Sequence, residues 1–116
     1  MATPMRAHLC ALWTVFAVGC GTSDDRPATV EVVSIEILAP SCGAVQCHST
    51  TTRLEGLAFD TLDEAKDSMR ELGVSAGDGG ELLEVINDNV MPPDSPMFAN
   101  DIELIKQWIA AGAAGL

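Results

Sequence analysis

The chain contains no tyrosine, and its 116 residues include only three phenylalanines and two tryptophans. Trp13 and Phe16 fall in an N-terminal apolar run, so Phe59, Phe98 and Trp108 are the aromatics left to build a core. Basic residues are also scarce. Six lysines and arginines stand against seventeen aspartates and glutamates, a formal net charge of −11. A surface of that sign repels nucleic acid and anionic lipid headgroups and draws basic partners toward it. The solubility of a secreted protein accounts for the same charge equally well. Histidine is nearly absent: after the first twenty residues only His48 remains. That leaves no Ser-His-Asp hydrolase to assemble, and Cys47 lies too close in sequence to be activated by His48 as a nucleophile. No enzymatic reading follows. The carboxylates Asp60, Asp63, Glu64 and Asp67 read as helix caps and a solvated face, not as an acid/base pair.

The apolar run from Leu9 to Val18 is too short to span a bilayer, which takes roughly 20 residues. It has the length of a signal-peptide core, and Arg6 ahead of it supplies the positive flank. It ends in Ala17-Val18-Gly19-Cys20, which resembles the lipobox of bacterial lipoproteins, with alanine at 17 where leucine is usual. In that family the signal is cut before the cysteine, whose thiol and amine are then acylated. The expected organisation is a signal peptide over 1–19, a lipid on Cys20, a polar tether over 20–29 and one small domain over 30–116. The membrane is then reached through the lipid, which places the chain at the bacterial cell envelope, facing the periplasm or at the outer membrane. Ordinary secretion with cleavage near Gly19 is the alternative. It leaves Cys20 as a stray thiol outside the cell.

Four cysteines are present in all. With Cys10 removed in the leader and Cys20 consumed by lipid, Cys42 and Cys47 remain as a pair or as a joint attachment point. They lie in Cys42-Gly-Ala-Val-Gln-Cys47-His48. Two cysteines followed at once by a histidine is the ending of a c-type haem attachment site. There the thiols form thioethers with the porphyrin vinyl groups and the histidine ligates iron from one side. The usual spacer has two residues; here there are four. A local Cys42–Cys47 disulfide is the competing reading, feasible if the Cβ atoms approach to about 4 Å, and an oxidising compartment permits either. Zinc lacks an obvious fourth ligand. Chains of this size bury a modest core and often depend on a disulfide, metal or cofactor. A covalently held porphyrin would supply the bulk that the missing aromatics do not.

Along the domain, Val30 to Leu38 fits a strand or a short helix, ended by Pro40 before Cys42. Thr61-Leu-Asp-Glu64 is a capping box that opens a helix to about Leu72, with Gly73 as its stop. Its apolar face is Leu62, Ala65, Met69 and Leu72, which makes Met69 core and not a ligand. A short helix is expected over Glu81 to Asn87, then a loop, Met91-Pro-Pro-Asp-Ser-Pro-Met97, whose prolines fix the backbone. Asn100-Asp-Ile-Glu103 is a second capping box, opening a helix to about Ala111.

The order Cys-x4-Cys-His, Gly56-Leu-x-Phe-Asp60, a helix, Met-Pro-Pro, and Ile105-x-x-Trp-Ile-Ala-Ala-Gly-Ala113 resembles small planctomycete-type cytochrome c domains, secreted bacterial relatives of class I cytochrome c. The likeness covers roughly Ile35 to Ala113. It implies an all-α domain of three to four short helices with long loops around covalent haem c. It makes Cys42 and Cys47 the thioether anchors, His48 the proximal iron ligand and Met91 the distal one. Trp108 and Ile105 would pack on the macrocycle. The implied function is electron transfer at the cell envelope by a monohaem c-type cytochrome, with a redox partner that carries a basic docking surface. Met97 stays open as the sixth ligand in place of Met91. A haem-free lipoprotein interaction domain stapled by a Cys42–Cys47 disulfide is the alternative function.

Overall fold

The computed structural model describes residues 24–116, and within them the chain is helical, with no strand. The expected signal peptide and the lipid on Cys20 lie outside the described residues. The first helix, α1, covers residues 30–42 and settles the ambiguity at Val30–Leu38 in favour of helix. Thr29 starts it by accepting the Val32 amide on its hydroxyl, 3.3 Å. Across Val32–Leu38 the turns are wide, with hydrogen bonds reaching five residues back, and the Ala39 amide still donates to the Ser34 carbonyl in that register. A regular turn, Ala39–Cys42, follows.

Pro40 therefore does not end the element, as its sequence position led us to expect. It falls in the last turn, directly after the wide turns, whose looser geometry relieves the clash a proline ring makes with the preceding turn. Residues 24–29, expected as tether, lie against the domain. Arg26 bonds Asp24 and Asp101 at 2.5 Å each, and Ala28 packs on the core.

The second helix, α2, is Leu62–Glu71. Thr61 caps it with extended backbone and a hydroxyl that accepts the Glu64 amide. The other half of the capping box is replaced: the Glu64 carboxylate pairs with Arg53 instead. Gly73, at φ 76°, turns the chain out of the helix. The third helix, α3, is Gly80–Asn87. It can follow so closely only because Gly80 has no side chain, since a Cβ there would sit 2.2 Å from the Leu72 carbonyl oxygen.

The fourth helix, α4, is Ala99–Ala110. It starts ahead of the expected capping box, with extended Phe98 as the flanking residue and no side-chain cap. Asn100 sits inside the first turn, and the Asp101 carboxylate is held by Arg26. An acidic group in that turn still complements the helix dipole.

The core is formed where these helices meet. Val33, Ile37 and Leu38 of α1, Ala65 and Met69 of α2, Leu82 and Ile86 of α3, and Leu104, Ile105 and Trp108 of α4 are buried together with Val74. Trp108 is 1% exposed and donates its indole N–H to the Ala114 carbonyl at 3.1 Å, so the C-terminal turn closes over it. One polar group is stranded in this core: the Ser34 hydroxyl is fully buried with no partner.

Candidate functional site

α1 ends at Cys42, and the chain from there to Thr61 is a long connection built on hydrogen bonds. The Cys47 amide donates to the Ala44 carbonyl at 2.8 Å, and the His48 amide reaches back to the Cys42 carbonyl at 3.1 Å. The four-residue spacer thus folds into its own turn and bulges outward. Val45 is 68% exposed at its tip, while Cys42 and Cys47 are half-buried on the inner side. Two hydroxyls, from Ser49 and Thr52, donate to the Val45 carbonyl and hold the bulge. Gly43 lies against the segment that returns: a Cβ there would come within 2.7 Å of the Ala39 oxygen and 3.0 Å of the Asp60 nitrogen.

The loop after His48 is tied at its base. The Phe59 amide donates to the His48 carbonyl at 2.7 Å, and the Asp60 carboxylate accepts from both the Thr50 amide and the Thr50 hydroxyl. Those bonds, the backbone one foremost, hold the Asp60 carboxyl below its usual range. Ser68 of α2 meets both the N–H and the C=O of Ala58 at 2.9 Å, which fastens the returning segment of the loop to the helix.

His48 itself is half-buried, its ring edge-on to Phe59 with centroids 5.9 Å apart. Its Nδ1 lies 2.8 Å from the Leu54 carbonyl oxygen. A carbonyl can only accept, so Nδ1 is the donor, and in the neutral ring Nε2 is the nitrogen with the lone pair. Histidines that ligate metals are oriented in this way, the second ring nitrogen donating to a backbone carbonyl or carboxylate. The Cys42 thiol is pushed up to about 11, by burial first and then by the neighbouring Cys47. At neutral pH it is a protonated thiol, not a reactive thiolate. Cys42 and Cys47 are both free.

Two cavities adjoin this loop. One, of about 410 Å³, is lined by Cys42, Cys47 and His48 on one side and by the whole of Met91–Phe98 on the other. The second, of about 360 Å³, is lined by Phe59, Leu57, Leu72, Leu82, Val85 and Ile86, with Glu55, Glu71 and Glu81 at its rim. Cys42, His48 and Met91 line both. Each falls within the roughly 300–1,000 Å³ of small-molecule sites. No lysine or arginine lines either one; Asp94 and the three glutamates are the charged groups present.

Four of the six side chains expected at the cofactor therefore converge: Cys42, Cys47, His48 and Met91 line a common cavity. Met97 lines the first cavity only and packs on the core. Trp108 and Ile105 line neither cavity and are enclosed among the helices. Two partners of the site were not foreseen. The Leu54 carbonyl is a backbone group and leaves no mark in sequence. The rim glutamates are spread over a loop and two helices, so only the fold gathers them. Comparison with protein-family models, curated proteins and solved structures finds no match for the chain.

The donor set suits a haem. Two thiols and a thioether are soft donors, His48 keeps one nitrogen free, and the walls are mostly apolar. Among the described residues no three His, Cys, Asp or Glu side chains are gathered as a bare metal ion requires.

Proposed function

We propose that the protein is a monohaem c-type cytochrome that carries electrons at the bacterial cell envelope. The observation that carries this reading is the convergence of Cys42, Cys47, His48 and Met91 on one cavity, with His48 Nε2 left free by the Leu54 carbonyl. Haem c bound there would supply a one-electron ferrous/ferric couple. Cys42 and Cys47 would hold it by thioethers, and His48 and Met91 would ligate its iron. With His48 and Met91 both engaged by the haem, the role would be electron carriage and not catalysis on a bound substrate. The apolar walls would exclude water, and the prolines after Met91 would limit its loop.

The lipid on Cys20 would keep the domain at the envelope. Among the described residues no helix is long and apolar enough to cross a membrane. A redox partner with a basic docking surface fits the glutamate rim and the scarcity of cations around both cavities.

Expression with the c-type maturation machinery tests the reading. The purified protein should give a haem-staining band under denaturing conditions that survives acid-acetone extraction, together with a Soret band. In the oxidised holoprotein, Met91→Ala should remove the weak charge-transfer band of sulfur–iron ligation and lower the potential, while Met97→Ala should leave both unchanged. A colourless protein with no titratable thiols would sink the proposal and establish the disulfide-stapled interaction domain in its place.

A further inference from the structure

The Leu54 carbonyl that orients His48 sits between two residues in left-handed conformation, neither of them glycine: Arg53 at φ 47° and Glu55 at φ 54°. Backbone of that kind is disfavoured for ordinary side chains and persists only where surrounding contacts impose it. The contacts here are specific. The Arg53 amide donates to the Ser49 carbonyl at 2.8 Å, the Gly56 amide returns to the Arg53 carbonyl at 2.9 Å, and the Arg53 guanidinium reaches Glu64 in the first turn of α2 at 2.5 Å. The base of the loop is tied separately, through His48–Phe59 and Thr50–Asp60. Leu54 itself bonds only within the loop, its amide to the Cys47 carbonyl and its carbonyl from the Leu57 amide; among the described residues, Arg53–Glu64 is the hydrogen bond or ion pair that joins the tip of the loop to a helix, at the residue next to Leu54.

We infer that the Arg53–Glu64 pair is a strap that presents the Leu54 carbonyl to His48 Nδ1, so that Arg53 and Glu64 are positioning residues for the ligand atom Nε2. Free imidazole exchanges its proton between the two ring nitrogens, and only a fixed acceptor at Nδ1 keeps Nε2 open. The strap supplies that fixity from outside the cavity. It also raises the electron-donating power of the ring, because a histidine that donates firmly through one nitrogen is a more basic ligand through the other. This inference deepens the cytochrome reading, but the strap itself belongs to the polypeptide and can be measured without haem.

The test uses the full chain in detergent under reducing conditions, with ¹⁵N-labelled histidine and His8→Gln to leave one histidine signal. The pH is held about two units above the ordinary imidazole pKa of roughly 6.5. Nitrogen chemical shifts then give the ratio of the Nδ1–H to the Nε2–H form of His48. Arg53→Asn keeps a residue that tolerates the left-handed backbone but cannot reach Glu64. That variant and Glu64→Gln should each lower the ratio about two- to fivefold, the range a single exposed ion pair can deliver. Arg53→Lys, which keeps the charge, should restore most of it. Asp67→Asn, which breaks the Arg70–Asp67 pair elsewhere on α2, should leave it unchanged.

An unaltered ratio in Arg53→Asn and Glu64→Gln would overturn the strap and assign the orientation to the base of the loop. A fall in the first variant alone would assign it to the backbone at 53 and overturn the ion pair's role. In haem-loaded protein the same two variants should raise the midpoint potential. If no haem binds while the tautomer ratio still responds, the cytochrome reading fails and the strap stands.

Discussion

Two loops face each other across the same cavity, and they are held in opposite ways. The connection that carries Cys47 and His48 is fixed by a dense set of bonds: Cys47 to Ala44, His48 to Cys42, Phe59 to His48, Thr50 to Asp60, Ser49 and Thr52 to Val45, and His48 to Leu54. The Met91–Phe98 connection starts with the Val90 and Met91 amides, which share the Val85 carbonyl, and from Pro92 to Phe98 no hydrogen-bonded amide follows. Its prolines restrict the backbone without attaching it to anything, and Phe98 stands 81% exposed at its end. One side of the cavity is thus preorganised by the chain. The other rests on few bonds, and segments of that kind have low local stability.

The largest change to that contrast comes from the floor both loops stand on. Trp108→Ala removes the largest fully buried side chain and the bond to Ala114. It should destabilise the haem-free chain by about 3–5 kcal/mol, read from denaturant unfolding followed by circular dichroism. A loss under about 1 kcal/mol would mean that the helices do not share one core. Next in size is Ser68→Ala. It leaves the buried amide and carbonyl of Ala58 without partners, at about 1–3 kcal/mol, and it should free the His48 loop while leaving Met91–Phe98 as it was. Amide hydrogen exchange distinguishes the two: protection should fall at Phe59 and stay as it was at Val90.

Much of the helical frame was legible in the sequence, because its signals are local. Thr61 caps α2 through its own hydroxyl, Gly73 stops it, and the apolar spacing of Ala65 and Met69 faces the core as expected. The departures occur where a distant residue intervenes. Glu64 leaves its capping box for Arg53, and α4 opens at Ala99 with Asn100 already inside its first turn, so neither box closes as its spacing implied. Pro40 was misleading because wide turns are a property of the whole α1 register, which no single residue announces. At the site, Cys42, Cys47, His48 and Met91 could be picked out by type and adjacency. Trp108 and Ile105 carry the same apolar signal whether they face a cavity or a core, and here they face the core. The Leu54 carbonyl and the rim glutamates depend on how loop and helices come together, which composition does not encode.

A smaller effect separates the loops by pH. The folded Cys42 thiol is raised to about 11 by burial and by Cys47, above its unfolded value of roughly 8.5. A raised pKa contributes stability that is complete below the unfolded value and is lost as pH climbs through the folded one. The haem-free, reduced chain should therefore weaken progressively between about pH 8.5 and 11. Cys42→Ser should flatten that part of the profile, measured by urea midpoints across the range. A wild-type midpoint that stays level there would mean that Cys42 is as open to water as any surface thiol.

The smallest effect is expected at the residue given the most specific role. Met91 is 36% exposed, and its amide bonds to Val85 through the backbone alone. Without haem, Met91→Ala should change stability by no more than about 0.5 kcal/mol, the usual range for surface substitutions. His48 offers the contrast: its ring is bonded to Leu54 and set against Phe59 in the polypeptide itself, so His48→Ala should cost more in the same haem-free chain. With haem bound the two should draw level, since the iron would then tie Met91 into the fold as firmly as the loop already ties His48. The measurement is the difference in unfolding free energy between haem-loaded and haem-free forms of each variant. If Met91→Ala costs the same in both forms, the Met91–Phe98 loop is not tied to the cofactor through its methionine, and the two sides of the cavity are independent.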